Sequence, residues 1–151
     1  LTLTKGTGVI NRIFHGYGKF EGEMDGRKNG ALISMSTGKA VAFAIFNLQA
    51  RGEMFVTHND PVYEGMIVGL TPKPGDMIIN VMKGKQLTNM RTQGTDENVV
   101  LTPVRQMSIA EQLSMLNTDE ALEITPKSLR LRKAILNPHD RKKSEKSGAA
   151  A

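Results

Sequence analysis

Side chains that could carry out chemistry are sparse in this 151-residue chain, and their spacing works against it. His15, His58 and His139 are scattered, and none has a histidine partner four residues away, the helical spacing of a metal site. There is no cysteine, which excludes a disulfide scaffold, a thiolate zinc site and a cysteine nucleophile together. Gly38-Lys39 and Gly84-Lys85 suggest a phosphate loop, but Ala40 and Gln86 stand where Ser or Thr would hold magnesium. Neither pair has the earlier glycine at the required distance. Gly6-Thr7-Gly8 leads to Asn11 instead of the third glycine of a dinucleotide fingerprint. Asp96 and Glu97 are adjacent acids in a polar stretch, where carboxylates usually face solvent or bond to local amides. His58-Asn59-Asp60 is a turn sequence before it is a constellation, and no serine sits in a Gly-x-Ser-x-Gly elbow. Catalysis is therefore disfavoured, a hydrolase built on Asp96 or His58 being the outlying alternative.

Binding chemistry is better represented. The net charge is +5, and it is unevenly placed. Lys127 to Lys146 holds eight basic residues against Asp140 and Glu145, a balance of +6, while the rest of the chain sums to −1. A near-neutral body with a basic C-terminal arm suggests a polyanionic partner such as nucleic acid. The stretch Lys83 to Thr95 adds three cations (Lys83, Lys85, Arg91) among Gln86, Thr88 and Asn89. Cations attract phosphates, and amides and hydroxyls hydrogen-bond to sugars and base edges. The stretch has no aromatic residue, which argues against a stacking platform for single strands and for docking on folded RNA by shape. An ordinary polar surface loop and a solvated tail remain the alternatives at this level.

These residues need a framework. At 39% hydrophobic and 23% charged, the chain has the composition of a globular domain with a real core. No run of about 18 apolar residues occurs, so no membrane-spanning helix is expected, and residues 1 to 20 lack the pattern of a signal peptide. That first segment reads as a strand after a glycine turn, with Val9, Ile10, Ile13 and Phe14 apolar; Gly16 to Asp25 reads as a linker. Ala31 to Met35 and Ala40 to Phe43 are expected to pair as a hairpin through Ser36-Thr37-Gly38-Lys39. A short helix over Ala44 to Arg51 should end at Gly52. Strands follow at Met54 to Thr57, within Val62 to Leu70, and at Met77 to Met82, with Val99 to Leu101 closing the polar loop. Ser108 and Glu111 form a capping-box signal for a helix near 108–117, whose apolar face would be Ile109, Leu113 and Leu116. Asp119 to Thr125 and Leu129 to Leu131 are short strands, and the tail from Asn137 should be disordered or loosely helical. The nine methionines look like core filler. The fold class is α+β: a β-rich domain of short antiparallel strands, partly barrel-like, with one clear helix and a long polar loop.

At the loop the chain resembles a known family. Lys85-Gln86-Leu87-Thr88-Asn89-Met90-Arg91, followed by Gly94-Thr95-Asp96-Glu97, is similar to the C-terminal region of the BipA/TypA translational GTPases. Gly6 to Asn11, Arg27 to Ser34, Gly38 to Ala44, Asn47 to Gly52, Val62 to Gly69 and Glu123 to Lys133 agree with the same family in the same order. The likeness runs from residue 1 to about 143. Departures are Met82, where a cysteine or small residue is usual, and Val104, where a second proline often follows Pro103.

The resemblance implies a parent of the elongation factor G class, with a GTPase domain, a β-barrel domain and two ferredoxin-like domains before this region. Residues 1–24 would be the end of the last ferredoxin-like domain, 25–137 the family-specific C-terminal domain, and 138–151 a basic tail. Leu1 in place of Met fits a fragment of something longer. GTP and magnesium would belong to the parent's GTPase domain, leaving no cofactor, no metal and no catalysis here. The family acts in ribosome assembly and stress-adapted translation, so the implied setting is cytoplasmic and ribosome-associated, and the fragment itself a monomer. Residues 82–97 would reach large-subunit ribosomal RNA and the acceptor arm of the A-site transfer RNA. The expected phosphate contacts are Lys83, Lys85 and Arg91, with Gln86, Thr88 and Asn89 toward sugars or bases. Arg130, Arg132 and Lys133 form an expected second basic face, with Arg130 and Arg132 on the same side of a strand. The alternative is a protein-interaction domain that docks on the parent GTPase core without touching RNA.

Overall fold

The computed structural model describes residue 4 and residues 7–20, 27–84 and 100–148. In chain order the elements are β1 (Ala31–Ser34), β2 (Gly38–Lys39), α1 (Ala42–Gln49), β3 (Glu53–Met54), β4 (Pro61–Val62) and β5 (Ile67–Leu70). They continue with β6 (Met77–Ile79), α2 (Ile109–Ser114), β7 (Glu120–Ile124), β8 (Leu129–Lys133) and α3 (Pro138–Gly148). The class is α+β and β-rich, as expected, but among the described residues the strands close no barrel. β3, β5, β1 and β6 form one sheet in that order, while β2–β4 and β7–β8 are separate pairs.

β1 and β5 are buried at every position because the sheet is covered on both faces. Alternation sends Leu32 and Val68 to one side, where they join Ile45 and Leu48 of α1 with Met54, Val56 and Val81. Ile33 and Ile67 point to the other side, onto Leu131 of β8, with Met107, Leu116 and Leu122 packed against them. The sheet is not wholly antiparallel, because β1 runs parallel to β6. Met82 and Leu101, the described residues flanking the long loop, both pack against the α1-side cluster.

Several local expectations are corrected. β2 does not return along β1; it pairs with β4, Gly38 opposite Val62. The segment after it turns into α1, whose N-cap Val41 offers no side-chain cap, so the usual sequence signal for a helix start is missing. That helix ends at Ala50 in a right-handed conformation. Gly52 serves close packing instead, since a Cβ there would run into the Leu70 carbonyl oxygen. Val99 lies outside the described residues, and Val100 and Leu101 form no strand. The Gln49 amide supplies the missing pairing: its Nε2 donates to the Thr102 carbonyl (2.8 Å) and its Oε1 accepts from the Thr102 N–H (3.1 Å).

α2 is rotated relative to its apolar pattern. Ser108 caps it, its hydroxyl accepting from the Glu111 N–H at 3.3 Å. The Glu111 carboxylate does not reach back to complete a capping box; it pairs with Arg105, which also pairs with Glu53 at 3.3 Å. Glu111 and Gln112 are buried, whereas Ile109 and Leu113 are 46% and 53% exposed. The tail is helical over α3, with Pro138 in the first turn and the Asn137 side chain accepting from the His139 N–H at 2.8 Å. Residues 7–20 form no strand and expose Val9, Ile13, Phe14, Tyr17 and Phe20.

Candidate nucleic-acid interface

Of the expected loop residues, Lys83 is described, and Lys85, Gln86, Thr88, Asn89 and Arg91 lie outside the described residues. Lys83 is exposed and stands just beyond β6, after a turn in which the Asn80 carbonyl oxygen of the side chain accepts from the Met82 N–H (2.9 Å).

Strand alternation on β8 separates the three cations expected to share a face. Arg130 and Arg132 do lie on one side, and both are half-buried. Arg130 Nη1 lies 3.4 Å from Glu123 Oε1, across the hairpin where the two residues are register partners. Glu123 Oε2 also accepts from the Tyr63 hydroxyl at 2.7 Å. Burial, with that carboxylate beside it, pushes the Tyr63 phenol up to about 12. Arg132 donates to the backbone carbonyls of Lys133 and Ala134. Lys133 points the other way, into the protein, and is only 2% exposed. It is the correction to the expected second basic face.

Lys133 is buried because its neighbours neutralise it. Its Nζ lies 2.5 Å from Asp76 Oδ2, 2.6 Å from Asp119 Oδ2 and 3.0 Å from Glu120 Oε1. Burial alone would pull its pKa down, but hydrogen bonds to Asp119, Asp76 and Glu120 outweigh that and hold it above the ordinary lysine value. For Asp76, burial pushes upward, while hydrogen bonds from Lys133 and from the Ala31 N–H (2.7 Å) win and hold it low. The cluster is a structural fastener between β1, β6 and the hairpin. Its lysine has no free valence for phosphate.

A grouping that sequence reasoning missed lies beside Lys83. A cavity of about 580 Å³ opens between α1 and β6, with Phe43, Leu48 and Ile79 among its apolar lining and Asn47, Arg51, Asn80 and Lys83 as its polar groups. Arg51 follows the last turn of α1, where a cation complements the exposed carbonyl end of the helix. The Asn47 side chain donates to the Phe43 carbonyl at 2.8 Å. Only the separation of Asn47 and Arg51 by four residues, within a helix expected over Ala44 to Arg51, could have hinted that they lie close together.

The catalytic alternatives gain nothing from geometry. Asp60 Oδ2 accepts from the Thr57 N–H at 2.7 Å, and Asn59 has a left-handed φ of 68°, so His58 to Asp60 is a turn. Asp96 lies outside the described residues. Among the described residues, no three His, Cys, Asp or Glu side chains are grouped to hold a metal, and no helix is long and apolar enough to cross a membrane.

The family model for the TypA/BipA C-terminal domain matches residues 29–138. The chain is 49% identical over 147 residues to the large ribosomal subunit assembly factor BipA of Buchnera aphidicola (subspecies Schizaphis graminum). It is 45% identical over 147 residues to the protein of that name in Salmonella typhimurium, and 45% over 148 residues to that of Escherichia coli K12. These alignments take in 97% of this chain and 24% of each relative, so the chain spans about a quarter of the length of the curated relatives it matches. By the family match over most of its length, this chain belongs to the TypA/BipA C-terminal domain family.

Proposed function

We propose that this chain is the ribosome-docking module of a TypA/BipA-type translational GTPase that acts in large-subunit assembly and stress-adapted translation. In this reading the chain performs no chemistry; GTP and magnesium are bound by the parent's GTPase domain. The module touches large-subunit ribosomal RNA and the acceptor arm of A-site transfer RNA through residues 82–97, in a cytoplasmic, ribosome-associated protein. Lys83, Lys85 and Arg91 meet phosphates, and Gln86, Thr88 and Asn89 meet sugars or bases. Arg130 and Arg132 remain as weaker contacts, because each already has a partner within the hairpin. Residues 7–20, as the end of a ferredoxin-like domain, would bury Val9, Ile13, Phe14, Tyr17 and Phe20 in cis. The observation that carries the reading is the rooting of a cation-rich loop in the core, its flanks Met82 and Leu101 packed on one apolar cluster. The relatives' name, a large ribosomal subunit assembly factor, supports the choice of partner.

The test uses full-length protein carrying Lys83→Ala, Lys85→Ala and Arg91→Ala together, sedimented with large ribosomal subunits over a salt series. Loss of three phosphate contacts should flatten the salt dependence by about two to three log units per decade, at roughly 0.7 to 0.9 each. Thermal stability should hardly change. If deletion after Asn137 abolishes association and the triple variant does not, the loop is the wrong element.

A further inference from the structure

We infer that the cavity between α1 and β6 is a second RNA-backbone site, in which Arg51 and Lys83 take phosphates and Asn47 and Asn80 take ribose hydroxyls. This rests on the RNA-docking reading above and extends it from the loop onto the folded body.

The charge distribution sets this cavity apart. Three other cavities of the described residues each have at least one carboxylate in their lining: Asp60, Glu53, or the pair Asp76 and Asp119. Among the described residues, the lining of the α1–β6 cavity holds two cations and no carboxylate. Neither Arg51 nor Lys83 has an acidic partner among the described residues. Arg27, Arg105, Arg130 and Lys133 are paired with carboxylates. Arg51 and Lys83 belong instead with exposed cations such as Lys73 that are not paired among the described residues, and differ from Lys73 in lining one groove together. Two unpaired cations facing one groove raise the local concentration of anions there.

The two asparagines make the groove suited to a sugar as well as a phosphate. Asn47 uses its amide nitrogen on Phe43, and among the described residues its oxygen is free to accept. Asn80 uses its oxygen on Met82, and among the described residues its nitrogen is free to donate. A ribose 2′-hydroxyl both donates and accepts, so it can engage either group, and deoxyribose cannot. The apolar lining of Phe43 and Leu48 lets one face of a sugar or base rest without losing hydrogen bonds. Continuity completes the case, because Lys83 is both a member of the cavity and the first cation of the loop.

The experiment measures anisotropy of a fluorescein-labelled RNA hairpin, and of the DNA hairpin of the same sequence, on the full-length protein over a salt series. Arg51→Gln should flatten the salt dependence by about 0.7 to 0.9 log units per decade. Asn80→Asp keeps the oxygen that accepts from Met82 but places a negative charge in the groove. It should weaken RNA binding roughly tenfold, about what one hydrogen bond to a charged group is worth. Lys73→Gln, an exposed lysine outside the groove, is the charge control and should bind like the wild type. Preference for RNA over DNA should fall in Asn47→Ala. If Lys85→Ala with Arg91→Ala weakens binding and the groove variants do not, the inference is overturned and the loop reading stands. If the groove variants weaken binding and the loop pair does not, the groove stands and the loop reading falls. Failure of the wild type to bind the RNA hairpin overturns both.

Discussion

The Arg27 guanidinium grips the Glu120 carboxylate with two hydrogen bonds, 2.7 Å and 3.2 Å, between residues 93 positions apart. The glutamate is fully buried and the arginine nearly so. A bidentate pair fixes direction as well as distance, so it aligns the chain entering β1 with the start of β7. The same carboxylate also accepts from Lys133, so two cations and three acids form one continuous network.

Lys133→Met should cost about 3 to 5 kcal/mol, the usual loss when one partner of a buried ion cluster is removed and the remainder is left uncompensated. Urea unfolding monitored by circular dichroism measures it. A loss below about 1 kcal/mol would mean that water enters and solvates the acids.

The same network sets a pH window. Asp76 is held below its ordinary value of 3.8, so its contribution is complete above that value and disappears as pH falls through the lower folded-state pKa. Lys133 is held above 10.5, so its contribution is complete below 10.5 and is lost as pH rises through the higher folded-state pKa. The stability gap between the wild type and Asp76→Asn should therefore be constant from about pH 5 to 9 and narrow in acid. A gap that widens as pH falls would contradict the assignment.

Gly52→Ala should destabilise by about 1 to 3 kcal/mol, the range for forcing extra volume into a packed site, because backbone rather than a side chain blocks the new methyl. Gly84→Ala has open space around it and should be neutral or stabilising by up to about 1 kcal/mol. Melting temperatures of the two variants separate a packing glycine from a merely flexible one.

Ile109→Thr and Leu113→Gln should each change stability by no more than about 0.5 kcal/mol, as exposed substitutions do. If either costs 2 kcal/mol or more in chemical denaturation, the apolar stripe of α2 is buried and the rotation described above is wrong.

That helix shows where sequence reading succeeds and where it stops. Ser108 marked its start correctly, because capping is a local interaction between residues three apart. Its buried face was misread because Arg105 makes Glu111 buriable, and periodicity contains no information about a neutralising partner. Lys133 failed in the same way: counted with Arg130 as part of a basic face, it is the strand's inward cation, neutralised by acids up to 57 positions away. The two strands β7 and β8 were legible from their short apolar runs around Thr125-Pro126, and the structure pairs them as a hairpin with Glu123 opposite Arg130. The exchange of β2 from β1 to β4 was not, because a two-residue strand has too little pattern to choose its partner. The candidate site was legible as composition for the loop, whereas the α1–β6 groove exists only through tertiary assembly.

The seating of Met82 and Leu101 on one apolar cluster has a consequence for how the chain between them can vary. Both ends of the connection are fixed by the core, so the entropy of closing it depends only weakly on how many residues it contains. Doubling its length would cost roughly 0.6 kcal/mol. Length and composition there are thus nearly decoupled from the stability of the body, and reach can be tuned by insertion while the platform stays unchanged.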